Sequence, residues 1–597
     1  MLLPKEENKN KWDFSFLYKN KEEWKKELNG CDSLVKEVCC YKKKLNKKDN
    51  FFKFLRTKEK LVFLLAKLKQ YVLMKDTDHE NIEFQSLHSI FEQKIFLINK
   101  KLTWIENEIK KIGWRVIKTF FTDEEKEFGQ YKKDFKLFFK KKKHLLNSND
   151  ERLMAKFCRS RQNIYEIYES AIFADNNFPV IKFNGKKETL NDKLLTKILE
   201  TTQPLKDQGL RKKASFLRKK IFLEKKNLFS KIYQGILTQN SEEAEIRKYS
   251  SAIEMHLQEN YVNEKILNNL IKTTNKNLQI CNVFYKIKKK HLKLKNFFAT
   301  DNFLLLKNPQ DKFLTKIEVE EGKKNILKIF EKFNTEFYQN LKLAFQEGKI
   351  DFYEGEKKTT GAYCYDNANC EPVILMNWDN TFNSITTLIH EAGHAVHKIF
   401  ANQNQKYPNN EYPILIAETA SITSELVLFE MLYLQLKNKD DKIFLLQRQI
   451  EMMIGTFFRQ VQFSEFEYEI NLNFQKENFI SPQKTAEIYG KIESKYLPFS
   501  KTKENFSWPR ITHFFYSPFY VCLYALAGVV ANKLVQKALK ENDGKCIVSF
   551  LKQGGSEMPL TIIKDYAKVN FEKEKDYQIF FQTLKSKIKM LELLLEK

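Results

Sequence analysis

The sequence predicts a mainly α-helical protein with a small β-sheet set against one central helix. Three observations carry that prediction. Glycine (17) and proline (12) are sparse among 597 residues, so little interrupts a helix. Apolar residues recur at helical spacing along most of the chain. The period then turns to two between Phe352 and Trp378, directly before the most strongly patterned helix of all.

Composition bounds the rest. The length allows about four domains and a large core. Hydrophobic residues make up 42% and charged residues 30%, a globular balance. The net charge of +27 would suit a nucleic acid or a membrane surface, but the lysines are spread over the whole length among many Asn and Phe. They read as compositional bias, and no nucleic-acid partner is expected. Nine cysteines without a CxxC pair argue against a disulfide framework and for a reduced, cytoplasmic setting. The N-terminus MLLPKEENKNKWDF has no apolar signal region, and Phe514 to Ala531, broken by Ser517-Pro518, reads as a buried helix. No membrane partner is expected.

Taken in order, Trp12 to Leu28 reads as a first helix capped by Asp13 or Ser15. Phe51 to Tyr71 and Asn81 to Lys111 read as long amphipathic helices with lysine-rich outer faces. Tyr131 to His144 is a solvated helix face with its aromatics turned inward. A break at Asn147–Asp150 precedes another helix. Asp175 to Lys187 alternates and contains Asn-Gly, which predicts a hairpin and a boundary near residue 190. The chain is therefore divided into an N-terminal helical domain, 1–190, and a catalytic domain, 191–597. Helices return over 191–295, including Ile246 to Asn260 and Asn263 to Leu294. Ala362–Tyr365 and Val373–Trp378 are expected strands. Beyond the central helix, Pro413 to Leu436 and Lys442 to Phe474 are helical, and two last helices follow a turn at Gly554–Ser556.

The central helix runs from Thr381 to Phe400, with Thr381, Asn383 and Ser384 offering caps. Within it stands His390-Glu391-Ala392-Gly393-His394. Residues four apart share a helix face, so the two imidazoles can converge on one tetrahedral metal. Glu391 lies where it can take a proton from a bound water. With 9 His and 76 acidic residues, chance would place such a motif in this chain about 0.02 times. The expected cofactor is one Zn2+ ion. His397 is a possible third ligand, but one more turn along the same helix strains the geometry, so it reads as a core histidine or one that supports a ligand. Glu418, a carboxylate in the apolar run ILIAETASITSE, is the better third ligand. Glu425, two turns on, is either an ordinary helix acid or a group that orients His390 or His394. The strand near Gly361, Ala362 and Tyr363 either buttresses the helix or offers its backbone to an extended peptide. Near the end, WPRITHFFYSPFYVCLYALA places His513, Tyr516, Tyr520 and Tyr524 close to one stripe, which suits either a core or an oxyanion-stabilising wall.

HEAGH, IAETAS about 28 residues later and WPRITHFFYSPFY resemble the M3 family of zinc oligopeptidases, and within it the oligoendopeptidase F group. WDFSFLYKNKEEW, IRKYSSAIEMHLQEN, EPVILMNW, FFRQVQFSEFE and LKQGGSEMPL extend the resemblance almost end to end. It implies an elongated multi-helix, zincin-like metallopeptidase with a deep central channel, acting in the cytoplasm on short unstructured oligopeptides. It further implies His390, His394 and Glu418 as zinc ligands, Glu391 as the catalytic carboxylate, and His513 with nearby tyrosines as stabilisers of the intermediate. The chain departs from the family pattern at Cys522, where a tyrosine is expected. Tyr516 and His513 are then the expected substitutes, because Tyr520 and Tyr524 sit about 200° round a helix from residue 522. The competing expectation is a structural zinc in a helical protein whose basic surface binds nucleic acid. The oligomeric state is not legible.

Overall fold

The computed structural model describes residues 9–122, 125–174, 178–500 and 503–596, and it is mainly helical. Its strands are β1 (Val180–Phe183), β2 (Lys186–Thr189), β3 (Ile350–Tyr353), β4 (Tyr363–Tyr365) and β5 (Val373–Trp378). The chain forms two compact units. One comprises Met1–Glu151, Asp311–Leu432 and Leu534–Lys568; the other comprises Arg152–Gln310, Tyr433–Lys533 and Val569–Lys597. The two interleave along the sequence, which a single cut near residue 190 does not express.

In the first unit the opening helix spans Lys21–Cys40, not Trp12–Leu28. Asn20 accepts a hydrogen bond from the Glu23 N–H and fixes the start. Ahead of it, Trp12 and Phe14 are buried against Val373 and Leu375 of the sheet. The expected helix over 81–111 is two, Ile82–Leu102 and Trp104–Ile112, parted at Thr103. The apolar faces of these helices meet around Phe51, Phe54, Phe91 and Phe121. The sheet has the order β3-β5-β4, with β3 parallel and β4 antiparallel to β5. β3 escaped the sequence reading because it is four residues long and Asp351 interrupts its apolar run; that carboxylate is buried and paired with Lys358. The two site helices then follow, Phe382–Asn404 and Ile414–Gln435.

In the second unit β1 and β2 form the expected hairpin. Asn184 (φ 49°) and Gly185 (φ 83°) make the turn, as an Asn-Gly pair favours; residues 175–177 of the expected hairpin lie outside the described residues. The 246–260 and 263–294 periodicities resolve into Ala252–Glu259, Glu264–Asn275 and Gln279–His291, with Ser251 and Asn263 as side-chain caps. The expected helix from Lys442 is present as Lys439–Met453 and Gln460–Glu477, joined through a π-helical segment, Ile454–Arg459. Tyr168, Trp508 and Phe515 stack face to face in this core, and the Tyr168 hydroxyl donates to the Pro509 carbonyl at 2.7 Å. Among the described residues no helix is long and apolar enough to cross a membrane.

Candidate active site

The His390 helix is anchored at its start by Ser384, whose hydroxyl donates to Asp379 Oδ1 at 2.6 Å and accepts the Asp379 N–H. Apolar residues Ile385, Leu388, Ile389 and Val396 bury one side of it, leaving His390 and His394 together on the other. Their ring centroids are 5.0 Å apart and the planes cross at 79°. The Glu418 helix reaches them because both helices are bare where they meet. A Cβ on Gly393 would stand 2.8 Å from the Ser421 Cα and 2.8 Å from the Ser424 hydroxyl. Glycine here permits the close approach, and the small residues of TASITS complete it.

Glu418 Oε2 lies 3.6 Å from His390 Nε2 and 4.0 Å from His394 Nε2. One ligand atom from each of the three residues falls within 4.8 Å of the others, the sole such cluster among the described residues. Tetrahedral ligands at about 2.05 Å from a metal are separated by about 3.3 Å, so small side-chain adjustments close the set. Behind it, His390 Nδ1 donates to Glu425 Oε1 at 2.6 Å, which turns Nε2 toward Glu418. Of the two histidines that sequence left open for Glu425, it is His390 that it holds.

The electrostatics suit a cation. Burial opposes a charged His390, but the hydrogen bond to Glu425 and the carboxylates of Glu425, Glu418 and Glu391 outweigh it and raise the ring to about 10. Burial, with His390 beside it, drives His394 well below its ordinary value, so this imidazole is neutral and able to ligate. Glu391 is buried and is pushed up to about 7 by burial and by Glu418 and Glu425, against the pulls of His390 and a backbone hydrogen bond from Cys364. Cys364 belongs to β4, so the edge strand of the sheet adjoins the Glu391 carboxyl. Two imidazole Nε2 atoms and a carboxylate, with two further acids beside them, are a donor set that fits a divalent metal, which would take the place of the proton these acids favour on His390.

The remaining candidates separate. His397 is fully buried, stacks on Tyr412 at 3.8 Å, and is lowered to about 3 by burial. It stands outside the ligand cluster. Gly361 (φ 83°) leads into β4 with its carbonyl accepting from Asn377 Nδ2 at 2.7 Å. Ala362 follows it, and the Tyr363 hydroxyl donates to Asp76 at 2.7 Å, which holds that side chain within its own unit.

In the second unit His513 stacks with Tyr520 at 5.7 Å and meets Tyr524 edge-on at 6.2 Å. Tyr516 is elsewhere. Its ring lies against Tyr165 and Tyr168, and Glu169 accepts its hydroxyl. The expected single helical stripe fails because the helix stops at Tyr516 and restarts at Cys522, with Phe519 left-handed (φ 58°) between. Cys522 is fully buried, its thiol donating to the Phe519 carbonyl at 3.1 Å. Position 522 is therefore a core position in this chain. Of the four residues the sequence placed on one stripe, His513, Tyr520 and Tyr524 are together and Tyr516 is not.

The family model described as Peptidase family M3 matches residues 202–581, and the model described as Oligopeptidase F matches 108–178. The chain belongs to peptidase family M3. This M3 peptidase is 31% identical over 573 residues to the oligoendopeptidase F homolog of Borreliella burgdorferi, covering 94% of each chain. It is 28% identical over 564 residues to oligopeptidase PepF of Bacillus subtilis, covering 93% of this chain and 82% of the relative. It shares its fold with the oligoendopeptidase-F of Enterococcus faecium (TM-score 0.72, 22% identity, 96% and 99% coverage). For a peptidase of this family the His390–His394–Glu418 cluster is where the metal cofactor would be held.

Proposed function

We propose that this M3 peptidase is a zinc metalloendopeptidase of short, unstructured oligopeptides. The observation that carries the reading is the juxtaposition of the His390–His394–Glu418 donors with the buried Glu391 next to His390 on the same helix. His390, His394 and Glu418 would hold one Zn2+, and Glu425 keeps the His390 proton on Nδ1 so that Nε2 is free to ligate. A zinc ion held there supplies Lewis acidity toward the scissile carbonyl and toward water. Glu391 accepts the proton the attacking water gives up and returns it to the leaving amide nitrogen, work for which a value near 7 is well matched. The backbone of Gly361 and Ala362, leading into Tyr363 at the start of the edge strand β4, pairs with the extended substrate backbone. His513 and Tyr520, with Tyr524 rather than Tyr516 beside them, donate hydrogen bonds to the oxyanion. His397 supports the His390 helix through its stack on Tyr412. We place the enzyme in the cytoplasm and retain 1–190 and 191–597 as sequence modules, since the two family models fall on either side of residue 190.

A structural metal site is not favoured, because closure takes four protein ligands and the cluster has three among the described residues. The test is a mixture of random peptides of about 6 to 20 residues, analysed by mass spectrometry with and without a chelator. Internal cleavage that stops on chelation and returns with zinc is expected. Chelator-resistant cleavage, or trimming of single residues from the ends, would overturn the reading.

A further inference from the structure

The second unit contains a cavity that no residue of the candidate active site lines. Its volume is about 520 Å³, and Phe284, Phe303, Phe458 and Phe499 make its wall largely apolar. That is the size and character of a small-molecule pocket. Its charged groups are unevenly matched. Asp192 and Glu451 on the wall are each tied to a cation of their own, Arg218 at 2.9 Å and Lys288 at 2.7 Å. Glu493 faces Arg459 at 3.8 Å. Lys219 and Arg510 also line the cavity, and neither has a carboxylate within 4.0 Å among the described residues. Burial would raise the Glu493 carboxyl, yet Arg459, Lys219, Asn505 and Arg510 hold it below its ordinary value, which reports a positive local potential.

Two further features mark the cavity. One wall is the π-helical segment Ile454–Arg459, an irregularity often retained at functional sites. Gln462, one turn on and wholly buried, accepts from Arg459 through Oε1 and leaves Nε2 without a partner. Thr300, also on the wall and buried, leaves its hydroxyl unpartnered. Buried donors without acceptors are costly unless a ligand supplies one. The cavity continues into a wider cleft that shares Lys219, Tyr285 and Phe499 with it. That cleft carries Lys212, Lys219, Lys286 and Lys289 and, among the described residues, no acidic side chain, so it would draw anions inward.

We propose that this cavity binds a small organic anion, its head group on Lys219, Arg510 and Arg459 and its apolar body among the phenylalanines. A carboxylate and a phosphate would both satisfy these donors, so the test carries both. Isothermal titration of the full, metal-loaded chain with 3-phenylpropionate, phenyl phosphate and the neutral 3-phenylpropionamide reads the affinity. At least one anion should bind one per chain, with the amide at least about tenfold weaker, and the tighter of the two identifies the head group. The Lys219→Met/Arg510→Met variant should lose about tenfold or more, whereas Glu418→Ala should bind as wild type does. Both lysine and arginine are solvent-accessible, so the fold should survive; thermal stabilisation of wild type by the anion but not the amide gives a second reading should the variant misfold. The proposal is overturned if no anion binds at about 10 mM, if the amide binds equally well, or if binding survives the double variant. Loss of binding in Glu418→Ala alone would equally overturn it and move the ligand to the metal centre.

Discussion

Gly393→Ala tests whether the close approach of two helices is what assembles the metal site. The new Cβ would lie 2.8 Å from the Ser421 Cα and 3.1 Å from the Ser424 Cβ, where ordinary carbon contacts begin at about 3.5 Å. The nearest obstacle is backbone, so no rotamer change relieves it and the helices must part by roughly 0.7 to 1 Å. Overpacking of this kind costs about 1–3 kcal/mol. Ser421 is one turn from Glu418, so the parting is delivered to the carboxylate that must reach both imidazoles. Metal sites tolerate ligand displacements of about 0.2 Å, and a 1 Å misplacement at a reacting centre can cost about 10²-fold. We therefore expect a lower zinc content after dialysis, kcat/KM reduced by about 10²-fold, and a melting temperature lower by a few degrees. Gly30→Ala is the control. It lies in the middle of the Lys21–Cys40 helix with nothing within 4 Å of its added Cβ, and should be neutral or stabilise by about 0.5–1 kcal/mol. If Gly393→Ala retains zinc and activity as Gly30→Ala does, the packing argument is wrong.

Two further outcomes follow from the second unit. Tyr520→Phe and Tyr524→Phe should each lower kcat by about 10² with little change in KM, while Tyr516→Phe, whose ring lies against Tyr165 and Tyr168, should stay within a few-fold; the reverse order would return the oxyanion role to Tyr516. Glu467 is buried and pushed up to about 8 from the ordinary 4.5, with the Phe519 N–H donating to one oxygen at 2.9 Å. An acid whose folded value is raised is ionised more readily in the unfolded chain, so its stability contribution is intact below pH 4.5 and is lost as pH rises through 8. Thermal unfolding of Glu467→Gln should therefore gain on wild type between pH 5 and 8, and an equal difference at both pH values would refute this.

What was legible in the sequence was what local chemistry writes there. His390, Glu391 and His394 are linked by one helical turn, and Glu418 announces itself as an acid in an apolar run that has to be partnered. The Asn-Gly hairpin is likewise a local signal. Element ends were less legible, since Asn20 and Ser251 act as caps only when the preceding residues are drawn elsewhere. Trp12 and Phe14 leave the first helix because the sheet buries them. The His513 region failed for a different reason. Pro518 is a local signal, but the break that turns Tyr516 away and restarts the helix at a buried Cys522 depends on tertiary contacts that no periodicity records. Choosing His390 for Glu425 likewise needed the second helix in place.

The central claim, that three side chains hold the metal while Glu391 works beside it, is tested most directly by Glu391→Gln. The substitution keeps the shape and removes the base without touching His390, His394 or Glu418. Metal analysis of the purified variant should find one zinc per chain, and peptide hydrolysis by the same sample should be down by at least about 10³-fold. Zinc lost together with the activity, or activity kept, would contradict that division of roles.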